Sequence, residues 1–177
     1  MALVTDIKKF KYQLAARRSL RRWQERFTVR LGESTMLHDF SDKDLAFFLF
    51  PDPEPTMLLY DLIMGCLDLG TGAKFDYLEP KLRIKVMDIH LFILDQIRFE
   101  CMRRLDWVTG FAGEQYPLVT MVLECDSIKP GFQPPFPELH STHPKYEDFI
   151  RLGKMEGESV LRREIPRAIE TFLERLK

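Results

Sequence analysis

At 177 residues, with 45% hydrophobic and 30% charged side chains and 14 phenylalanines, the chain has the composition of a globular protein and the length of one domain. Its longest apolar runs, such as Leu45 to Phe50 and Leu118 to Leu123, fall far short of the ~20 residues that span a bilayer, so no integral membrane helix is expected. The net charge of -1 hides a segregation: residues 1–30 hold nine basic against two acidic side chains, residues 31–79 ten acidic against two basic, and residues 80–177 are balanced. Such blocks bear on association or internal docking rather than on fold.

From Thr5 to Phe27 there is no Gly or Pro, and Ile7, Phe10 and Leu14 form a helical stripe that Ala16, Leu20, Trp23 and Phe27 continue after a slip of half a turn. One long basic amphipathic helix is expected, stopped by Gly32. The first nine residues turn charged at once and carry no signal-peptide apolar stretch, so a cytoplasmic location is expected. Ser41 with Asp44 three residues on reads as a capping box before a short helix of Leu45, Phe47, Phe48 and Phe50. Pro51, Pro53 and Pro55 predict a stiff extended connector, and Met57 to Leu69 a buried helix with one polar edge at Asp61 and Asp68, closed by Gly70 and Gly72.

Lys81 to Val108 has neither Gly nor Pro. Val86, Ile89, Ile93 and Ile97 make a stripe that Met87, Leu91 and Leu94 widen, which predicts a central helix contacted on several sides. Glu114 to Asp126 suits a strand or a helix with Pro117 in its first turn, and helix is favoured. Lys129 to Pro144, with six prolines and glycines, is a surface loop, and helices over Tyr146 to Arg163 and Pro166 to Leu176 close the chain. The three cysteines, Cys66, Cys101 and Cys125, lack C-x-x-C spacing and read as buried reduced thiols. The expected fold is all-α: an irregular bundle of five to seven helices around Lys81 to Val108, in a single domain.

Leu67-Asp68-Leu69-Gly70-Thr71-Gly72 resembles the first motif of the class I methyltransferases that use S-adenosylmethionine, in which a strand ends in an acidic residue and a glycine turn approaches the cofactor. The resemblance implies cofactor contacts by Asp68, Gly70 and Gly72, a ribose-binding role for Asp88, and a loop role for Gln133-Pro134-Pro135-Phe136. The sequence departs from that pattern where Ala73 and Lys74 replace the third glycine and its neighbour, and where Lys81 to Val108 reads as one helix instead of alternating strands and helices. The favoured reading is therefore that Gly70 and Gly72 end a helix, and no cofactor is expected.

Asp61 and Asp68, and likewise Asp88 and Asp95, lie seven apart, so facing helices would gather four carboxylates as in magnesium-dependent pyrophosphohydrolases; clustered E-x-x-E pairs are absent, and polar helix edges are favoured. His140 and His143, with Glu138 and Asp126 nearby, would offer a zinc site, against two solvated histidines in a surface loop. His38-Asp39 carries the metal-dependent phosphohydrolase pair without the earlier histidine ligand, and reads as loop chemistry.

The basic helix has three classes of partner: an acidic surface of its own chain or of a second copy, nucleic acid gripped by Arg17, Arg18, Arg21, Arg22 and Arg26, or an anionic membrane. Its six large apolar groups are each worth roughly 1.5–3 kcal/mol on burial, against about 0–1 kcal/mol per surface ion pair, so apolar docking dominates and charge selects the surface. The expected function is that of a non-enzymatic interaction or regulatory protein that self-associates as a homodimer, with a nucleotide-directed enzyme and a nucleic-acid-binding protein as alternatives.

Overall fold

The computed structural model describes residues 20–132 and 136–177. The first two-thirds of the expected basic helix, with Arg17 and Arg18, and the Gln133-Pro134-Pro135 segment lie outside the described residues. The fold is all-α. Among the described residues the α-helical segments are α1 (Arg21–Arg26), α2 (Asp42–Phe47), α3 (Pro53–Cys66), α4 (Pro80–Arg104), α5 (Ala112–Gln115), α6 (Leu118–Leu123), α7 (Cys125–Ile128) and α8 (Tyr146–Glu174). Among the described residues, the β structure is one two-residue antiparallel ladder, β1 (Val108–Thr109) with β2 (Glu138–Leu139), in which Val108 faces Leu139.

Helix α4 is the centre, flanked by α2, α3, α5, α6 and α8. Val86, Ile89, Ile93 and Ile97 are buried along it, as the spacing predicts, but Met87 and Leu91 are exposed, so the described residues leave one flank of the helix uncovered. At its end Glu100, only 1% exposed, accepts both arms of Arg103 at 2.7 Å and Nε of Arg104 at 2.8 Å. Arg104 continues from that carboxylate to Asp42 and to the carbonyls of Leu37, His38 and Phe40, clamping the chain before α2 onto α4. With three charge-assisted bonds on one buried carboxylate, removing one partner of this clamp costs more than breaking a surface ion pair.

The prolines behave differently from the extended connector expected of them. Pro53 is the first residue of α3 and Pro55 lies in its first turn, where an α-helix has no use for the missing N–H groups; only Pro51 and Asp52 remain as connector. Helix α3 then ends in a left-handed cap. The amides of Asp68 and Leu69 donate to the carbonyls of Gly65 and Met64, with Asp68 at φ 58°. Helix α4 ends the same way, with Asp106 at φ 59° and the amides of Asp106 and Trp107 returning to Arg103 and Met102. Aspartate tolerates this conformation better than most side chains, and takes the place usually filled by glycine.

The Glu114 to Asp126 stretch is helical but broken into α5, α6 and α7: Pro117, the N-cap of α6, separates it from α5, and Glu124, at φ -111° and ψ 21°, separates α6 from α7. The closing segment breaks at Gly153 (φ 72°, ψ 179°), a conformation open to glycine, whereas Pro166 sits inside the helix and does not divide it.

Candidate functional site

The described end of the basic segment lies on the acidic block of the same chain. Trp23 is 1% exposed, stacks on Phe48 at 5.4 Å, meets Phe27 and Phe40 edge-on at 5.1 and 6.0 Å, and donates its indole N–H to the Leu58 carbonyl at 2.6 Å. One turn along α3, the fully buried Asp61 accepts the Gly72 amide at 2.7 Å and Arg22 Nη2 at 3.4 Å on Oδ1, while Arg22 Nε lies 3.0 Å from Oδ2 as an ion pair. Burial raises the Asp61 pKa, against the Gly72 N–H and the Arg22 guanidinium, which lower it. The sequence reading placed Asp61 on a polar helix edge; it is instead an internal anchor that ties α1 and the turn at Gly72 to α3.

This arrangement also fixes the roles of the glycines in the methyltransferase-like motif. Gly72 has no room for a side chain, since a Cβ would meet the Met57 carbonyl and Tyr60 Cβ at 3.0 Å and Asp61 Oδ1 at 3.2 Å. Gly70 sits at φ 97° just after the helix cap. The motif follows a helix and not a strand, so its glycines serve a helix end and a close backbone approach, and Asp68 is an exposed cap residue. Asp88 lies on α4, beside a cavity that includes none of Asp68, Gly70 or Gly72. The four carboxylates do not gather at one site: Asp61 is buried, Asp68 is exposed at the cap of α3, and only Asp88 and Asp95 share the lining of one cavity, Asp95 pairing with Arg98 at 2.9 Å.

His140 and His143 do not share a site. His140 is exposed, with Nδ1 2.8 Å from Thr142 Oγ1. His143 is buried at the edge of Trp107, accepts the Lys145 amide on Nδ1 at 3.1 Å, and holds Nε2 3.7 Å from Glu164. Among the described residues no cluster of three or more His, Cys, Asp or Glu side chains is placed to hold a metal ion. Burial lowers the His143 pKa, as do Arg167 and Lys145, while Glu164 opposes them; burial and Arg98 lower that of His90. A histidine depressed in the fold takes up its proton more readily when unfolded, so stability is expected to fall as pH drops below about 6.5. Urea titrations at a series of pH values should show His143→Gln removing part of that slope, with His90 supplying the rest; an unchanged slope in both single variants would contradict this assignment.

Of the candidate anion-binding arginines that are described, each is already engaged. Arg21 pairs with Glu25 at 2.9 Å, Arg22 with Asp61, and Arg26 lies 4.4 Å over the Phe47 ring. Cys66 and Cys101 are buried, and burial pushes the Cys66 thiol up to about 12 and that of Cys101 higher still, so neither is a nucleophile at neutral pH.

The surface that the sequence reading missed is the uncovered flank of α4. Ile84, Met87 and Leu91 are 60%, 47% and 57% exposed, and with the half-buried Leu94 they fall at positions i, i+3, i+7 and i+10, the seam of a two-helix contact. Lys81, Asp88 and Asp95 line one side of that seam at seven-residue intervals. Next to it opens a cavity of about 290 Å³ between α4, α5, the Lys129–Gly131 turn and α8. Leu91 belongs to both seam and cavity. No helix of the described residues is long and apolar enough to cross a membrane. No protein family, curated protein or solved structure matches the chain.

Proposed function

We propose that the chain is a non-enzymatic interaction protein that self-associates, and that the contact is made by the uncovered flank of α4. The observation that carries this reading is the Ile84–Met87–Leu91 stripe: three large apolar side chains in water along about 10 Å of one rigid helix, while the opposite stripe of the same helix is buried. Scattered exposed apolar residues need no explanation, but a stripe at helix-pairing intervals is a surface fitted for another helix.

A second copy of the same helix suits it. Lys81 stands at one end of the seam and Asp95 at the other, on the same side. Antiparallel pairing about a two-fold axis near Met87 therefore sets Lys81 of each copy level with Asp95 of the other, with Ile84 meeting Leu91 across the axis. Apolar burial supplies the affinity and the two Lys81–Asp95 pairs favour this orientation, with the Asp88 side chains of the two copies facing each other near the axis at the edge of the seam. Among the described residues no group of three His, Cys, Asp or Glu side chains is placed to hold a metal ion, and Cys66, Cys101 and Cys125 are buried.

Ile84→Asp combined with Met87→Asp is expected to weaken self-association by at least ~100-fold, since burial of each such side chain contributes roughly 1.5–3 kcal/mol, while leaving the melting temperature of the monomer unchanged. Light scattering on eluting protein checks the mass. A double variant that keeps the wild-type mass at every concentration would overturn the assignment of this face.

A further inference from the structure

We infer that the cavity beside α4 is a binding site for a small zwitterion with a flat apolar group, of the chemical class of an aromatic amino acid. The inference does not rest on self-association. Three independent features of the cavity carry it. Its walls are aromatic: Phe92, Phe111 and Phe136 all line it, which suits a planar apolar group more than a sugar or a polyanion. Its interior holds a polar group with capacity to spare. Gln96, 2% exposed, accepts the Gly113 amide on Oε1 at 3.0 Å, and its Nε2, which donates to no other described residue and is not one of the fully buried atoms without a partner, reaches solvent with two protons to donate.

The third feature is charge. Four charged side chains line the cavity, but Asp95 is paired with Arg98 and Arg162 with Glu158. The remaining two, Asp88 and Lys129, have opposite signs and no ion-pair partner among the described residues. Lys129 is held with Nζ 5.6 Å over the Phe92 ring, so its charge stays at the aromatic wall. An ammonium on the ligand would meet Asp88 and a carboxylate would meet Lys129, leaving the planar group to the phenylalanines and one acceptor to Gln96 Nε2. A ligand of a single charge satisfies one of these two side chains and faces the other unpaired.

Calorimetry on the full chain separates the alternatives with three probes of one shape: phenylalanine, 3-phenylpropanoate, which lacks the ammonium, and 2-phenylethylamine, which lacks the carboxylate. Phenylalanine is expected to bind, and each singly charged probe to bind at least ~10-fold more weakly. Asp88→Asn should weaken phenylalanine and phenylethylamine by ~10-fold and leave phenylpropanoate alone, while Lys129→Gln should weaken phenylalanine and phenylpropanoate and leave the amine alone. Both side chains lie at or near the surface, so the variants are expected to fold, and unchanged circular dichroism confirms it. Equal affinity for all three probes, or no heat from phenylalanine at about 10 mM, would overturn the inference. Because Asp88 and Leu91 also belong to the α4 seam, the titrations are made at a chain concentration where sedimentation shows a single species.

Discussion

Trp23→Ala is expected to destabilise the protein by about 3–5 kcal/mol, the range for removing a fully buried large aromatic side chain. Three effects act together. The indole leaves a void between Phe27, Phe40 and Phe48, whose rings it contacts at 5.1 to 6.0 Å. The Leu58 carbonyl loses its 2.6 Å donor. The end of the basic segment loses the anchor that holds Arg22 near Asp61, and a buried carboxylate without its cation is disfavoured. Trp23→Phe, which keeps most of the apolar volume and loses the indole N–H, should recover more than half of the loss. Denaturant unfolding followed by circular dichroism measures both. If Trp23→Ala cost less than about 1 kcal/mol, the basic segment would not be docked on the acidic block as the structure has it.

Glu100→Ala is the second substitution with a large effect, at about 3 kcal/mol. The carboxylate is almost wholly buried and receives three guanidinium bonds of 2.7 to 2.8 Å from Arg103 and Arg104. Its removal leaves Arg104, itself largely buried, with Asp42 and a set of backbone carbonyls but with Nε unpaired. The expected consequence is local as well as global: the chain from Leu37 to Asp42 loses its clamp on α4, and its amides should exchange hydrogen faster than those of the α4 core. A variant with wild-type stability and unchanged exchange in that stretch would show that the clamp is dispensable.

The helical elements were legible where a local rule acts alone. Ser41 and Asp44 form the capping box the sequence suggests, with the Asp44 amide donating to Ser41 Oγ at 3.2 Å, and the Val86, Ile89, Ile93 and Ile97 stripe faces the core. The rest depended on competition between local rules and tertiary context. Periodicity marks Met87 and Leu91 as apolar but cannot say whether other elements cover a second face of α4, and the described residues do not. Proline reads as a helix breaker in Pro53 and Pro55 because the rule for interiors and the rule for first turns use the same residue. Asp61 reads as a surface edge because carboxylates are seldom buried, and the group that satisfies it, the Gly72 amide, lies eleven residues away across a turn.

The candidate site was less legible than the fold. Sequence spacing drew attention to Asp68, Gly70 and Gly72, where glycine chemistry is strong, yet the structure uses them for a helix cap and a close backbone approach. The cavity is assembled from residues far apart in the chain, from Asp88 to Arg162, and of the residues quoted for the methyltransferase-like pattern it takes only Asp88 and Phe136. One signal was present: Gln96 is the single uncharged polar residue in the run from Leu91 to Ile97, and a lone amide in an apolar stripe calls for a partner. It finds half of one in Gly113.

Sedimentation velocity of the full chain across about 1 to 200 μM tests the central claim most directly, because a contact of three or four large apolar side chains per copy should close within that range. The account predicts a shift from the 20.9 kDa monomer to a species of twice that mass, abolished by the Ile84→Asp, Met87→Asp double variant. A single 20.9 kDa species at every concentration would contradict it.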